Sequence, residues 1–328
     1  MRTPNHADPY ILRDPSTAKY RAKHQRGEPM SPDLLRTPEQ RFADLPGYPF
    51  QPNYLEDLKG IEGMRLHYLD EGPGDAKEVF LCLHGNPSWS YLYRKMISVF
   101  VAACHRAVAP DLPGFGKSDK PVDDATHTFS YHRDVLLAFI ERMDLKNVTL
   151  VCQDWGGILG LTLPMDMPDR FSRLLVMNTA LTTGDEPLSK GFVAWRDWSN
   201  TQDDLNVPKL FTRMAPHLSQ AEYDAYGAPF PDKTYKGVLR RFPNIVPEAP
   251  DDDGATVSRQ ARAFWKNDWA GKTFMAIGMQ DPVMGPATMT KLQALIRNCP
   301  PAYEVADGGH MIPEWGEDIA KQALAAFG

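Results

Sequence analysis

Apolar residues along this chain come in short continuous runs. Val79–Leu83, Ala107–Ala109, Val148–Cys152, Arg173–Met177, Thr273–Ile277 and Ala302–Val305 each read as a buried strand. Met64–Leu69 alternates as a half-exposed strand does, and Glu71-Gly-Pro-Gly74 after it reads as a turn. Between the runs the period changes. Leu136, Leu137, Ile140 and Met143 recur at helical spacing within Tyr131–Met143. Ile158–Met165 starts a second helix, which Pro164 disturbs, and Asp318–Phe327 is an amphipathic closing helix. Strands alternating with helices predict an α/β fold, a mostly parallel sheet flanked by helices.

From about 183 to 258 the pattern breaks. Strand-like runs vanish, and Trp, Phe, Pro and short helical pieces take their place. An irregular insertion between two strands reads as a cap over their carboxyl ends, where open α/β sheets bind ligands. The expected organisation is an extension at 1–30, a core of 31–182 and 259–328, and a helical cap at 183–258. The extension is polar with few aliphatics and is expected to be disordered. The alternatives are an interaction arm, or a true start near Met30.

Composition narrows the function classes. Of 328 residues, 42% are hydrophobic and 24% charged, which is ordinary for a soluble globular protein. The net charge of −6 comes without a basic stripe, so nucleic acid is not an expected partner. Every apolar run falls short of the roughly 20 residues that span a bilayer. The first 30 residues carry no apolar core of a secretory signal. Cys82, Cys104, Cys152 and Cys299 are widely spaced, and read as reduced thiols of a cytoplasmic protein rather than disulfide or metal ligands. A monomer without metal or cofactor is the expectation.

The chemistry concentrates around Asp154. In Val148-Thr-Leu-Val-Cys-Gln-Asp154-Trp-Gly-Gly157 a strand ends, one reactive side chain follows, and small residues open a helix. This is the strand–turn–helix of a nucleophile elbow, with a carboxylate where Ser is usual. A carboxylate displaces a leaving group at saturated carbon without help from a base, and leaves an ester that water must cleave. That cleavage needs a base, an orienter for the base, and oxyanion donors. His310 follows the strand Ala302–Val305, and Asp281 follows Thr273–Ile277. Their order along the chain is nucleophile, acid, histidine. The backbone N–H groups of Asn86 and Trp155 are the candidate oxyanion donors. Singly, an Asp after a strand is more often a turn former and a lone His structural. The ordered set points to catalysis. His84 keeps a structural reading, as the residue that holds the oxyanion loop.

With these motifs in place, the chain resembles the haloalkane dehalogenases of the α/β-hydrolase superfamily over residues 35–328. The resemblance is carried by Arg36-Thr-Pro-Glu-Gln-Arg-Phe42, His84-Gly-Asn-Pro-Ser-Trp-Ser-Tyr-Leu-Tyr-Arg94, Asp111-Leu-Pro-Gly-Phe-Gly-Lys-Ser-Asp-Lys-Pro121, Gln153-Asp-Trp-Gly-Gly157 and Gly278-Met-Gln-Asp281. It implies hydrolysis of a halogenated alkane to alcohol, halide and a proton through an alkyl–Asp154 ester. It implies that the indole N–H of Trp155 holds the leaving halide. Gly191-Phe-Val-Ala-Trp195 looks like the cap motif of one subfamily, which makes Trp195 the second halide donor and Phe192 a wall of the substrate pocket. The chain departs from that subfamily in carrying Asn86 where its best-known pattern has Glu. Trp198 is a nearby rival for Trp195, and Trp265 and Trp269 read as packing residues. The alternative is an epoxide hydrolase with the same Asp nucleophile and cap tyrosines among Tyr223, Tyr226 and Tyr235. A non-enzymatic ligand receptor on this fold is disfavoured by a complete triad.

Overall fold

The runs of aliphatic residues without a polar face become the central strands of a sheet. The structure is a computed structural model that describes residues 33–328; the extension expected at 1–30 lies outside the described residues. The eight strands are β1 (Asn53–Leu55), β2 (Leu66–Glu71), β3 (Val79–Leu83), β4 (Arg106–Pro110), β5 (Val148–Gln153), β6 (Phe171–Met177), β7 (Lys272–Gly278) and β8 (Tyr303–Val305). Their spatial order is β8-β7-β6-β5-β3-β4-β2-β1, and β2 alone runs against the rest. Every residue of β3 and β5 is buried, as strands covered on both faces must be.

Ten helices accompany the sheet among the described residues. They are α1 (Arg94–Ala102), α2 (Phe129–Arg142), α3 (Trp155–Gly160), α4 (Lys190–Asn200), α5 (Val207–Met214), α6 (Gln220–Gly227), α7 (Gly237–Arg241), α8 (Ala255–Asn267), α9 (Pro286–Leu295) and α10 (Gly316–Phe327). Helices α1 and α10 pack on each other, and α2 packs on α3. Helices α4 to α8 fill the stretch between β6 and β7 where strand character disappears from the sequence. The boundary expected at 258 falls inside α8.

Two local expectations change. The helix after Asp154 opens at once with Trp155 and ends at Gly160, whereas the sequence reading placed it over Ile158–Met165. Pro164 stops it cleanly, because its ring would meet the carbonyl of Gly160 one turn back. The short strand β1, and the two-residue ladder of Leu34–Leu35 with Lys120–Pro121, gave no readable period.

One buried charge network ties the parts together. Arg94, at the start of α1, sends Nη1 and Nη2 to Glu314 Oε1 and Oε2 at 2.5 and 2.9 Å, and Nη2 to Glu222 Oε1 at 2.7 Å. Glu314 sits just past His310, and Glu222 lies on α6, whose Tyr226 hydroxyl also donates to Glu314. Lys95 Nζ adds a contact to Glu314 Oε2 at 2.9 Å. Removing one side of a buried ion pair leaves an uncompensated charge. Arg94→Met should therefore cost about 3 kcal/mol in urea unfolding, and adding Glu314→Leu should recover most of that loss.

Candidate active site

The elbow is built from its backbone outward. Asp154 takes φ 51° and ψ −127°, a strained conformation for a residue with a side chain. Its N–H donates to Asn178 O at 3.0 Å, and its carbonyl accepts the Thr179 hydroxyl at 2.7 Å. Gly156 lets the turn approach β3: a Cβ there would lie 1.8 Å from the Leu83 carbonyl oxygen. A Cβ on Gly157 would likewise lie 2.2 Å from Thr179 Oγ1, so the Gly156-Gly157 pair is a steric requirement of this turn.

The side chain of Asp154 is held on both oxygens. Oδ1 accepts the Asn86 backbone N–H at 2.7 Å, and Oδ2 lies 3.5 Å from His310 Nε2. The Trp155 N–H opens α3 and has no intrahelical acceptor. His310 Nδ1 meets Asp281 Oδ2 at 2.9 Å. Asp281 also accepts Asn178 Nδ2 at 2.8 Å and the Val283 N–H at 2.7 Å. His84 does what the structural reading expected. Its Nδ1 meets Gly85 O and its Nε2 accepts the Leu112 N–H, both at 3.0 Å, which latches the loop that carries Asn86.

A cavity of about 410 Å³ opens on this set, lined by Asn86, Asp154, Trp155, Phe192, Trp195 and His310 together with Trp198. Every site residue expected from sequence faces it except Asp281, which stands behind His310. Six of the seven tryptophans divide by what their indole N–H meets; the seventh, Trp315, packs on His217 away from the cavity. Trp89, Trp265 and Trp269 give their indole N–H to Ala225 O, Leu161 O and Thr273 Oγ1. The indoles of Trp155, Trp195 and Trp198 meet no acceptor among the described residues and border the cavity. Trp155 is buried, Trp195 half-buried, and Trp198 exposed at its edge. No cap tyrosine lines the cavity; Tyr223 donates to Ala215 O, and Tyr226 to Glu314. Among the described residues no group of three or more His, Cys, Asp or Glu is placed to hold a metal.

Sequence reasoning missed two positioning residues. Asn178 joins the elbow to the acid: its carbonyl takes the Asp154 N–H, its Nδ2 reaches Asp281, and its Oδ1 accepts the Gly278 N–H at 2.8 Å. Gln153, inside the Gln-Asp-Trp motif, donates Nε2 to the His310 carbonyl at 2.8 Å. Its motif drew attention, but its partner is distant in sequence.

The model of the alpha/beta hydrolase fold family matches residues 78–317. A haloalkane dehalogenase of Psychrobacter cryohalolentis is 44% identical over 295 residues, spanning 88% of this chain and 96% of the relative. The chain belongs to the haloalkane dehalogenase family. A second haloalkane dehalogenase, of Mycobacterium tuberculosis, is 40% identical over 302 residues, spanning 89% of this chain and 98% of its own. The tetrameric structure of a haloalkane dehalogenase from Paraglaciecola agarilytica aligns with a TM-score of 0.88 at 50% identity, covering 90% of this chain and 99% of that one. The fold and reaction class expected from the sequence agree with these relatives. The chain is a hydrolase of carbon–halide bonds, with a haloalkane as substrate and halide as product, and the epoxide hydrolase alternative is not favoured. No helix among the described residues is long and apolar enough to cross a membrane.

The charges of this dehalogenase site are arranged in a row. Burial works against charge on His310, but the Asp281 and Asp154 carboxylates outweigh it and lift its pKa to about 10. Burial likewise pushes Asp281 up, yet His310 and the donors around its carboxylate hold it below the ordinary range. A raised histidine pKa stabilises the fold fully below the ordinary value of 6.5, and that contribution is lost as pH climbs through about 10. The melting temperature of the native protein should therefore fall between about pH 7 and pH 10 more steeply than that of His310→Gln. Parallel melting curves would show that the proton is not held as described.

Proposed function

We propose that Asp154, His310 and Asp281 are the catalytic triad of this haloalkane dehalogenase, with Trp155 and Trp195 as its halide donors. The observation that carries the reading is the Asp154 carboxylate held between the Asn86 N–H and His310 Nε2, at a cavity bordered by unsatisfied indole N–H groups.

Oδ2 of Asp154 attacks the halogen-bearing carbon in line, and the carbon–halogen bond breaks with its electron pair leaving on halide. The indole N–H groups of Trp155 and Trp195 receive that developing charge. An indole N–H donates and cannot accept, so it favours an anion in an apolar wall. Phe192 supplies part of that wall. Asn86 places its backbone N–H on Asp154 Oδ1, and its carboxamide borders the cavity, where its Nδ2 is the group able to donate to halide as a third contact.

The product is a neutral ester on Asp154. One of the two carboxylates that hold the His310 proton is then gone, so the imidazole gives its proton up. Neutral Nε2 takes a proton from water, which attacks the ester carbonyl. The oxyanion forms on Oδ1, against the N–H groups of Asn86 and Trp155. Asp281 keeps the ring oriented and stabilises the imidazolium. Collapse frees the alcohol and restores the Asp154 carboxylate; halide and one proton leave.

Residues 183–258 act as the cap in this reading, and the position of Trp195 at the cavity supports membership of the subfamily with a cap tryptophan. The monomer expected from the sequence does not fit the tetrameric relative, so self-association is proposed in its place, with light scattering in solution to decide. A cytoplasmic setting is supported by the free thiols of all four cysteines.

With 1-bromobutane, His310→Gln should release about one bromide per chain and stop, with the butyl group on Asp154 by mass spectrometry. Sustained turnover in that variant would remove His310 from its role. Trp195→Phe should weaken bromide binding, read by tryptophan fluorescence, by about tenfold, the weight of one charge-assisted hydrogen bond. If Trp198→Phe does this instead, the second donor is Trp198.

A further inference from the structure

The cavity carries one charge that the reaction does not use. Arg213, on the last turn of α5, lines it together with Leu210 and Met214. Its guanidinium forms no hydrogen bond or ion pair among the described residues. Every other arginine among them does. Arg36, Arg65, Arg94, Arg106, Arg133 and Arg142 bind carboxylates or carbonyls, as do those further along the chain. Arg41, Arg241, Arg259 and Arg297 donate to main-chain carbonyls, and Arg170, Arg173, Arg196, Arg240 and Arg262 to acids. The fold thus satisfies its arginines systematically and leaves open the one that borders the active-site cavity.

The other charged groups lining the cavity are committed. Asp154 and His310 face each other, and Asp281 stands behind. Counted with a proton on His310, that row is net negative and repels an anionic substrate. Arg213 supplies the opposite charge, and its side chain is exposed at the cavity wall. A guanidinium presents a planar fork that matches a carboxylate with two parallel N–H···O bonds. An alkyl chain with halogen at one end and carboxylate at the other meets both needs. Its halogen end lies against Trp155 and Trp195, its methylene spacer against Phe192 and Leu210, and its carboxylate at Arg213.

We propose that this dehalogenase also hydrolyses ω-haloalkanoates, and that Arg213 is the specificity-determining residue for their carboxylate. The proposal rests on the reaction assigned above and adds no new step. The Asp154 ester forms as carbon–bromine breaks, water cleaves it, and ω-hydroxyalkanoate, bromide and one proton are released.

The test compares 6-bromohexanoate with 6-bromohexanamide, equal in length and without the charge, and with 1-bromohexane as the reference for the basic reaction. Bromide release is measured against Asp154→Ala. The native protein should turn over all three. In Arg213→Gln the ratio of kcat/KM for the carboxylate to that for the amide should fall about tenfold, mainly through KM. Arg213→Lys should restore part of the ratio, since charge returns without the fork. Raising ionic strength with sodium sulfate should shrink the native ratio but leave that of Arg213→Gln flat. Turnover of 1-bromohexane and the amide without turnover of 6-bromohexanoate would overturn the proposal and leave the haloalkane activity intact. An unchanged ratio in Arg213→Gln would overturn the role of Arg213. Failure on 1-bromohexane as well would point instead at the assignment of the triad.

Discussion

The strained turn at Asp154 is the constraint on which the site depends. A side-chain-bearing residue at φ 51° costs on the order of 1–3 kcal/mol and persists only where its surroundings over-determine it. Here the surroundings do so. β5 is paired on both sides, by β3 and β6. The Asp154 N–H and carbonyl are both taken by the Asn178–Thr179 segment that follows β6. Gly156 removes the Cβ that would strike β3. The strain aims the carboxylate away from the sheet into the cavity, and starts α3 at the next residue, so that Trp155 arrives beside it.

From that placement follows the electrical logic of the site. Three ionisable groups stand in a row, carboxylate, imidazole, carboxylate, at 3.5 and 2.9 Å. In the resting state the two anions hold a proton on the histidine between them. In the proposed mechanism, alkylation of Asp154 erases one anion, and with it much of the reason for the proton to stay. The base is thereby switched on by the product of the first step, before water is to be activated. The order of the half-reactions is written into the charges, without a moving part. Asp281, held low by His310 and by two further donors, Asn178 Nδ2 and the Val283 N–H, is in that mechanism the fixed anion through both halves.

How much of this was legible in the sequence depends on the range of each interaction. The strands β3 and β5, and the later residues of β6 and β7, announced themselves because burial on both faces calls for a run of mostly apolar residues with no exposed polar face to break it. The elbow was legible because its geometry needs small residues at fixed offsets, and Trp-Gly-Gly supplies them. Asp281 and His310 could be found because both sit in loops just past the carboxyl ends of β7 and β8. Asn178 could not. It is an ordinary polar residue after a strand, and its importance comes from reaching Asp281 across 103 positions. Arg94 and Glu314 are 220 positions apart, and each alone reads as a surface charge. The cap helices gave only a loss of strand character. Their packing is set by contacts between segments, which no local period records.

The remaining question of architecture is how a site shared by two parts of the chain keeps one geometry. Trp155 belongs to the sheet-borne core and Trp195 to α4, yet both border one cavity, and in the proposed reading their indoles meet the same halide. The answer lies at the start of α4. The Ser189 hydroxyl accepts the Phe192 N–H and caps the helix, while donating to the Val283 carbonyl at 2.7 Å. The Val283 N–H in turn bonds to Asp281. Gly191 brings the helix so close to the Pro282 carbonyl that a Cβ would lie 1.8 Å from its oxygen. The helix that carries Phe192 and Trp195 is therefore docked on the same short loop that fixes the triad acid. Halide arm and base arm share one mechanical frame, and a shift of α4 cannot leave Asp281 untouched. The other wall is anchored in the same way: at the end of α5, which presents Leu210 and Arg213, the Met214 carbonyl sits so close to Gly309, next to His310, that a Cβ there would lie 2.2 Å from its oxygen. Both walls of the cavity are thus docked on the loops that carry Asp281 and His310, which leaves individual side chains such as Leu210 and Arg213, and not helix position, as the place where pocket shape can vary.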